Sequence, residues 1–170
     1  DLDGEITVSD IGLLVNCITN SEQITRDNQS EPCEWGMEIT NPNDSVTLSI
    51  GELNLEEGYV DIHVLNPDNE ILGYQFIMGN ISITSVENLV SDYPITPSFS
   101  VGGMVLGISY EDSLIIKNYD PVPLCRIYYS TIQENICIES IVDIVNQDYE
   151  NVISINNTEP CLPNISISNY

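Results

Sequence analysis

The segments Tyr59–Leu65 (YVDIHVL) and Ile71–Ile77 (ILGYQFI) decide the fold of this chain. In both segments apolar residues recur at the two-residue period of a half-buried β-strand. The turn-forming residues Asn66–Asn69 (NPDN) separate them. Two alternating segments joined by a short turn predict an antiparallel pair with one face directed toward a core.

The same pattern continues on both sides of this pair. Turn signals containing Gly, Pro, Asn or Asp interrupt it every 8 to 12 residues or so, a spacing that is typical of β-sandwiches. No long helix is predicted after residue 20. The sequence therefore predicts a mostly β protein built as an antiparallel β-sandwich, with these further strand segments: Val46–Ile50, Ile81–Val86, Gly103–Tyr110, Leu114–Ile116, Val122–Thr131, Ile136–Glu139 and Ile141–Val145.

The composition supports a folded, acidic protein. The chain has 170 residues, 42% of them hydrophobic, and carries 27 Asp and Glu against three Lys and Arg, for a formal net charge of −24. Disordered acidic tails lack this much apolar content. Arg26, Lys117 and Arg126 cannot form the basic patch that nucleic acid requires, so we expect no nucleic acid partner, and anionic membranes are disfavoured. The charge favours solubility and bound cations, calcium above all.

Several features indicate a secreted protein. The chain does not begin with Met and has no apolar run near 20 residues, so we expect a mature or excised segment without a signal peptide or membrane insertion. The five cysteines are too widely spaced for a zinc site. Disulfide-capable cysteines and the near absence of Lys suit an oxidising, extracellular compartment. N-linked glycans are expected at the sequons of Asn28, Asn43, Asn80, Asn156 and Asn164.

The cysteine pairing is only partly decided by the sequence. Cys17 and Cys33 can close a loop between a helix and the polar stretch after it. Cys137 and Cys161 flank the last strand segments, and a bond between them would fasten the C-terminal segment to the sandwich. Cys125 would then be the odd cysteine, although a Cys125–Cys137 bond is an open alternative.

The chain divides into four predicted regions. Residues 1–22 form a loop and a short helix, 23–44 a polar linker, 45–157 the sandwich, and 158–170 a tail. The helix would be capped by Ser9 or Asp10. Its apolar stripe has the i, i+3, i+4, i+7 spacing of one helix face. Expected interface residues are the stripe and two alternating residues of the tail: Ile11, Leu14, Val15, Ile18, Ile165 and Ile167.

The pattern Asp1-x-Asp3-Gly4 predicts a calcium loop of the EF-hand type. Such loops place oxygen ligands at alternate residues, Gly at a sharp turn and a carboxylate at the start of the following helix. Here the expected ligands are the side chains of Asp1, Asp3 and Asp10, the Glu5 carbonyl, and Thr7 or a water. An Asp-Gly turn before an ordinary helix is the alternative.

This acidic loop with a terminal Asp, followed by Ile11–Ile18 (IGLLVNCI), resembles one repeat of a dockerin module. The first ligand of that family would lie two residues before Asp1, and the second repeat is missing. In order, Leu48–Ile62, Ile71–Ile77, Met104–Ser109 and Ile136–Asp143 are similar to cohesin-like β-sandwich modules, of the jelly-roll type, over residues 45–157. That resemblance implies a non-catalytic receptor: one sheet face docks dockerin helices, and calcium holds the dockerin folded.

Catalysis has little support in the sequence. His63 is the only histidine and lies beside Asp61 on the polar side of an alternating segment, where we expect a rim residue and not a base. The carboxylate pairs Glu56–Glu57 and Glu111–Asp112 fall in turns. Trp35 lies beside Cys33, so packing is favoured over a platform for a sugar. We therefore predict no enzyme activity, and a glycosidase is only a remote third candidate.

These observations lead to two functional hypotheses. The first is a non-enzymatic extracellular structural protein that associates head to tail with copies of itself, because the apolar helix stripe or terminal strand of one copy complements the sheet of the next. The second is a monomeric cohesin-like adhesion or scaffold module that binds glycans or another protein's dockerin.

Overall fold

The computed structural model describes Val8, Ile11, residues 45–109 and 113–156, and Cys161, without the side chains of residues 131–134, 153 and 156. Its strands join in one seven-stranded sheet with the order β4-β5-β3-β6-β2-β1-β7. The strands are β1 (Ser45–Asn54), β2 (Tyr59–Asn66), β3 (Ile71–Asn88), β4 (Ser98–Phe99), β5 (Met104–Ile108), β6 (Asn118–Asn146) and β7 (Ile153–Asn156).

Two long strands curl this sheet into a sandwich. The first half of β3 pairs with β5 and with the end of β6, whereas its second half pairs with the start of β6. The start of β6 pairs in turn with β2. We call the part formed by β4, β5, residues 71–79 and residues 137–146 the first layer. The second layer consists of residues 81–88 and 118–132 with β2, β1 and β7.

The bend between the layers lies at Asn80. Its backbone has a φ of 61°, in the left-handed region that few residues other than glycine adopt. The pairing shifts at the same place, from Gly79 opposite Cys137 to Ile81 opposite Ile132. Such irregularities bend a strand and increase its twist, which allows β3 and β6 to pass from one layer to the other.

The core lies between the two layers. Alternate residues of β3 point into it, and the Tyr74 and Phe76 rings stack there with centroids 6.0 Å apart. Cys125 is also fully buried in this core. The largest side chains with almost no exposure are Tyr74, Tyr93, Phe76, Leu48, Ile62, Ile71, Met78, Ile115, Leu124, Ile127, Ile136 and Ile138.

Buried polar side chains hold the loops at the ends of the sandwich. The Tyr93 hydroxyl donates to the Leu72 carbonyl over 2.5 Å, and Asn88 Nδ2 donates to the Tyr93 carbonyl over 2.6 Å. Elsewhere, Asn66 Nδ2 donates to the Asn69 carbonyl, and Asn146 Oδ1 accepts the N–H of Glu150. Because buried polar groups need partners, these bonds fix where the loops lie on the strand ends.

The predicted sandwich class is confirmed, but the strand boundaries differ from those expected. Ile71–Ile77 and Ile81–Val86 belong to one strand, because the Gly-Asn turn signal at 79–80 marks a bend. Three predicted segments likewise merge into β6. β4 and β7 were not predicted, and β7 pairs with β1 in parallel. The short segment Leu114–Ile116 contributes a single bridge, Ile71–Ile115.

Gly107 tests the packing of the core. A Cβ atom at this position would lie 2.4 Å from Cζ of Tyr74, the residue opposite it on β3. We expect Gly107→Ala to lower the free energy of unfolding by about 1–3 kcal/mol, the usual cost of overpacking a core. Gly102→Ala is the control, since its Cβ would approach no atom closer than 3.8 Å. Equal urea midpoints for the two variants would contradict this account.

Cys125 tests the burial of the core. Burial raises the pKa of its thiol well above the usual range, so the thiolate that reacts with maleimides is scarce at neutral pH. We expect no maleimide on the Cys125 peptide of native protein and full labelling in denaturant, read by peptide mass spectrometry. A Tyr119→Cys variant, whose position is 80% exposed, should be labelled at that position without denaturant. Rapid native labelling of Cys125 would show that the core is open.

Candidate docking face

The outer face of the first layer has an unusual composition for a surface. Because Tyr74 and Phe76 point inward, their β3 neighbours Gly73, Gln75 and Ile77 point outward. The register places β5 and β6 residues beside them. We call this surface the candidate docking face, formed by Gly73, Gln75, Ile77, Met104, Leu106, Ile108, Asp143 and Val145.

An N-terminal residue covers one end of this face. Val8 is helical and fully buried, and it packs in a cluster with Leu72, Ile108 and Val145. Ile11, also helical, packs against the same cluster and remains partly exposed. This second cluster is separate from the core between the layers. The candidate docking face therefore already holds two apolar residues of its own chain, Val8 and Ile11.

Gly73 provides the space that Val8 occupies. A Cβ atom at position 73 would lie 2.7 Å from Cγ2 of Val8, closer than real Cβ atoms approach other heavy atoms. The same Cβ would lie 3.2 Å from the Gly107 carbonyl oxygen. Glycine inside a strand commonly marks a close approach. Here its missing side chain leaves a socket for the side chain of Val8.

Gln75 adds a directional contact to the apolar one. Its side chain is 6% exposed, and its Oε1 accepts the backbone N–H of Val8 over 3.0 Å. Its Nε2 lies 3.6 Å from Sδ of Met104. A buried backbone N–H without an acceptor is costly. This hydrogen bond consequently specifies which residue of the segment lies over Gly73. Apolar contact alone is non-directional and would not specify it.

The apolar surface continues past the part that Val8 covers. Met104 lies on the same face, and it is 37% exposed. Phe99 on the edge strand β4 pairs with Val105, which points into the core, so Phe99 does not lie on this face. Exposed apolar surface commonly marks a site of protein interaction.

The outer face of the second layer differs because its charges are satisfied between neighbouring strands. Arg126 donates to both carboxylate oxygens of Asp61, over 2.7 and 2.9 Å, and its guanidinium carbon lies 3.8 Å from the Tyr59 ring centroid. Tyr128 meets the Tyr59 ring edge-on and donates its hydroxyl to Glu87. Arg126 thus serves to hold β2 and β6 together and is not available as a binding group.

The residues weighed for catalysis take structural positions. His63 is half-buried and lies over Gly51, where a Cβ would be 2.3 Å from its Nε2. The Glu56 and Glu57 amides both donate to Asn54 Oδ1 in an exposed turn.

Across the described ranges, no three His, Cys, Asp or Glu side chains are grouped to hold a metal ion. Nor do these ranges contain a helix both long and apolar enough to cross a membrane.

Only some of the predicted site residues can be placed. Ile11 lies on the candidate docking face, Asn80 is exposed at the bend, and Asn156 ends β7. Cys137 and Cys161 form a disulfide with a Cα–Cα distance of 4.9 Å, and Cys125 is free. The other predicted site residues and Trp35, Glu111 and Asp112 lie outside the described residues: Asp1, Asp3, Glu5, Thr7, Asp10, Leu14, Val15, Ile18, Cys17, Cys33, Asn28, Asn43, Asn164, Ile165 and Ile167.

Val8, Gly73 and Gln75 were not predicted as site residues. Val8 stands between the polar residues Thr7 and Ser9, and the signal that could have identified it is its spacing of three and seven residues from Ile11 and Val15. Gly73 and Gln75 did carry a signal. A glycine and a glutamine at alternate positions of a strand that is otherwise apolar indicate a face that something approaches closely.

Comparison with known proteins gives a limited result. No family model and no curated protein matches the chain. Among solved structures, the chain is similar to the third ScaB cohesin of R. flavefaciens in complex with a group 1 dockerin, with 14% identity, a TM-score of 0.48, and coverage of 68% of this chain and 92% of that one. It is also similar to a non-cellulosomal cohesin from the hyperthermophilic archaeon Archaeoglobus fulgidus, with 15% identity, a TM-score of 0.45 and coverage of 66% and 87%. Similarity at this level does not assign the chain to a family.

Gly73 tests the seating of Val8. We expect Gly73→Ala to expel Val8 from its socket, because the added Cβ would lie 2.7 Å from Cγ2 of Val8 and the Gly107 carbonyl oxygen, 3.2 Å away, limits its movement in the other direction. Hydrogen exchange of the Val8 amide, measured by NMR, should then accelerate, since its bond to Gln75 is broken. Gly79→Ala on the same strand is the matched control, because its Cβ would make only ordinary contacts from 3.6 Å outward. Unchanged Val8 protection in Gly73→Ala would refute the socket.

Proposed function

We propose that this chain is a non-catalytic, extracellular protein-interaction module whose candidate docking face receives a short apolar helical segment. One observation carries the proposal: Val8 is fully buried over Gly73 on the outer side of the sheet, with its N–H bonded to Gln75. A strand face exposed to solvent has no need of a glycine socket at Gly73 or a buried amide side chain at Gln75. A face that receives another segment of chain does.

The partner that fits best is a copy of the same chain. Every copy carries both halves of the contact, the segment with Val8 and Ile11 and the face with Gly73 and Gln75. If one copy's segment docks on the next copy's face, the contact is heterologous, and it propagates head to tail unless the rotation closes a ring. This is the assembly proposed for a filament subunit, with Leu14, Val15 and Ile18 extending the apolar stripe.

Two further ligands belong to this proposal. Calcium held by Asp1, Asp3 and Asp10 would order the loop that contains Val8, because carboxylates at alternate positions suit this ion. N-linked glycans at Asn80 would project from an exposed bend between the layers. The Cys137–Cys161 disulfide is compatible with an oxidising compartment outside the cell.

A second candidate function has its own support. Val8 and Ile11 contact the face of their own chain, an arrangement that a monomeric scaffold module would also show. Such a module would bind a dockerin or another apolar helix of a different protein. Met104 leaves apolar surface beside the covered area for that purpose.

A peptide-binding experiment tests the proposed function. We expect the full chain with Val8→Asp to release its own segment, because a carboxylate cannot enter an apolar socket without a partner. In calcium-containing buffer, this variant should bind a fluorescent peptide of residues 1–22 that wild-type protein binds weakly. A double variant, Val8→Asp with Gly73→Val, is the control and should not bind. Failure of Val8→Asp to bind the peptide would remove the docking function from this face.

A further inference from the structure

We infer that the docked N-terminal segment is exchanged between copies. The isolated chain caps its own docking face with Val8 and Ile11, and assembly begins when these residues leave that face and occupy the same site on another copy. The inference rests on the proposed docking function. It describes how a chain that covers its own docking face begins to assemble with other copies.

The contacts themselves permit the exchange. The socket at Gly73, the acceptor at Gln75 and the apolar wall of Ile108 and Val145 are the same on every copy. A segment from a second molecule would regain every contact that the first had lost, and no new surface is needed. Domain swapping has a low cost for this reason. The two arrangements differ in the path of the chain that connects the segment to the sandwich. They also differ in how their populations depend on protein concentration.

The connecting chain is long enough to reach a neighbour. Residues 12–44 separate Ile11 from the start of β1 at Ser45, which makes 33 residues. At about 3.3 Å per residue they span up to about 110 Å when extended. If Cys17 and Cys33 pair, residues 12–17 and 33–44 still give 6 + 12 = 18 residues, or about 60 Å. A domain of 100 residues has a radius of gyration of about 13 Å.

Concentration and charge decide which arrangement is populated. A tethered segment faces its own site at an effective concentration on the order of millimolar, so a dilute chain remains capped. Each copy also carries a net charge of −24, and repulsion between copies opposes exchange. Salt shortens the range of this repulsion, to about 8 Å at physiological ionic strength. Exchange should therefore increase with protein concentration and with ionic strength.

Cysteine trapping between two full-length variants tests the inference. One variant carries Val8→Cys and the other Ile108→Cys, because Val8 and Ile108 pack in one cluster and the socket at Gly73 then stays open. The variants are mixed in an oxidised glutathione buffer and analysed on non-reducing gels and by peptide mass spectrometry. A bond between the two introduced cysteines, formed above the background of random collision, reports that the segment of one molecule occupies the face of the other.

The expected result is a shift from the 18.9 kDa chain to a species of twice that mass, containing this bond and increasing with salt and protein concentration. Val8→Cys mixed with Tyr119→Cys, whose introduced thiol is exposed elsewhere, should give no such increase. If Ile108→Cys fails to fold, Val145→Cys in the same cluster replaces it. Absence of the cross-linked species from these mixtures overturns the exchange.

The peptide experiment distinguishes this outcome from failure of the proposed function. If Val8→Asp binds the peptide but no cross-linked species forms, the docking function holds and only the exchange is wrong. If neither result is obtained, the docking function is wrong as well.

Discussion

The pairing of β3 with β6 is the interaction on which the rest of this structure depends. It runs from Ile71 opposite Asn146 to Asn88 opposite Cys125, through both layers. Because the two strands pair on both sides of the bend at Asn80, their backbones join the two layers. The core, the outer faces and the edges of the sandwich all follow from that constraint.

The two outer faces use the same backbone geometry for different purposes. On the second layer, Arg126, Asp61 and Tyr59 satisfy one another across neighbouring strands. On the first layer, Gly73 and Gln75 leave a space and an acceptor that the sheet itself does not use. A surface that is completed only when a further segment is added is the physical basis for interpreting this protein as an interaction module.

The sandwich class could be predicted from the sequence because alternation over Tyr59–Leu65 and Ile71–Ile77 depends only on local periodicity. The continuity of β3 and β6 could not, since a Gly-Asn pair at 79–80 marks a hairpin turn and a strand bend equally well. The same limit applied to the candidate site. Ile11 could be predicted as an interface residue from its helix stripe. Val8 could not, because its position over Gly73 and Ile108 depends on the pairing of β3 with β5.

The disulfide between Cys137 and Cys161 determines how the sandwich would carry mechanical load. A pull on the tail beyond Cys161 enters the fold at Cys137, within β6 and opposite Gly79 of β3. The chain between the two cysteines, which includes the end of β6 and the short parallel pairing of β7 with β1, is bypassed. Tension is thereby delivered to the part of β6 that precedes Cys137, and the edge strand β7 is shielded from it.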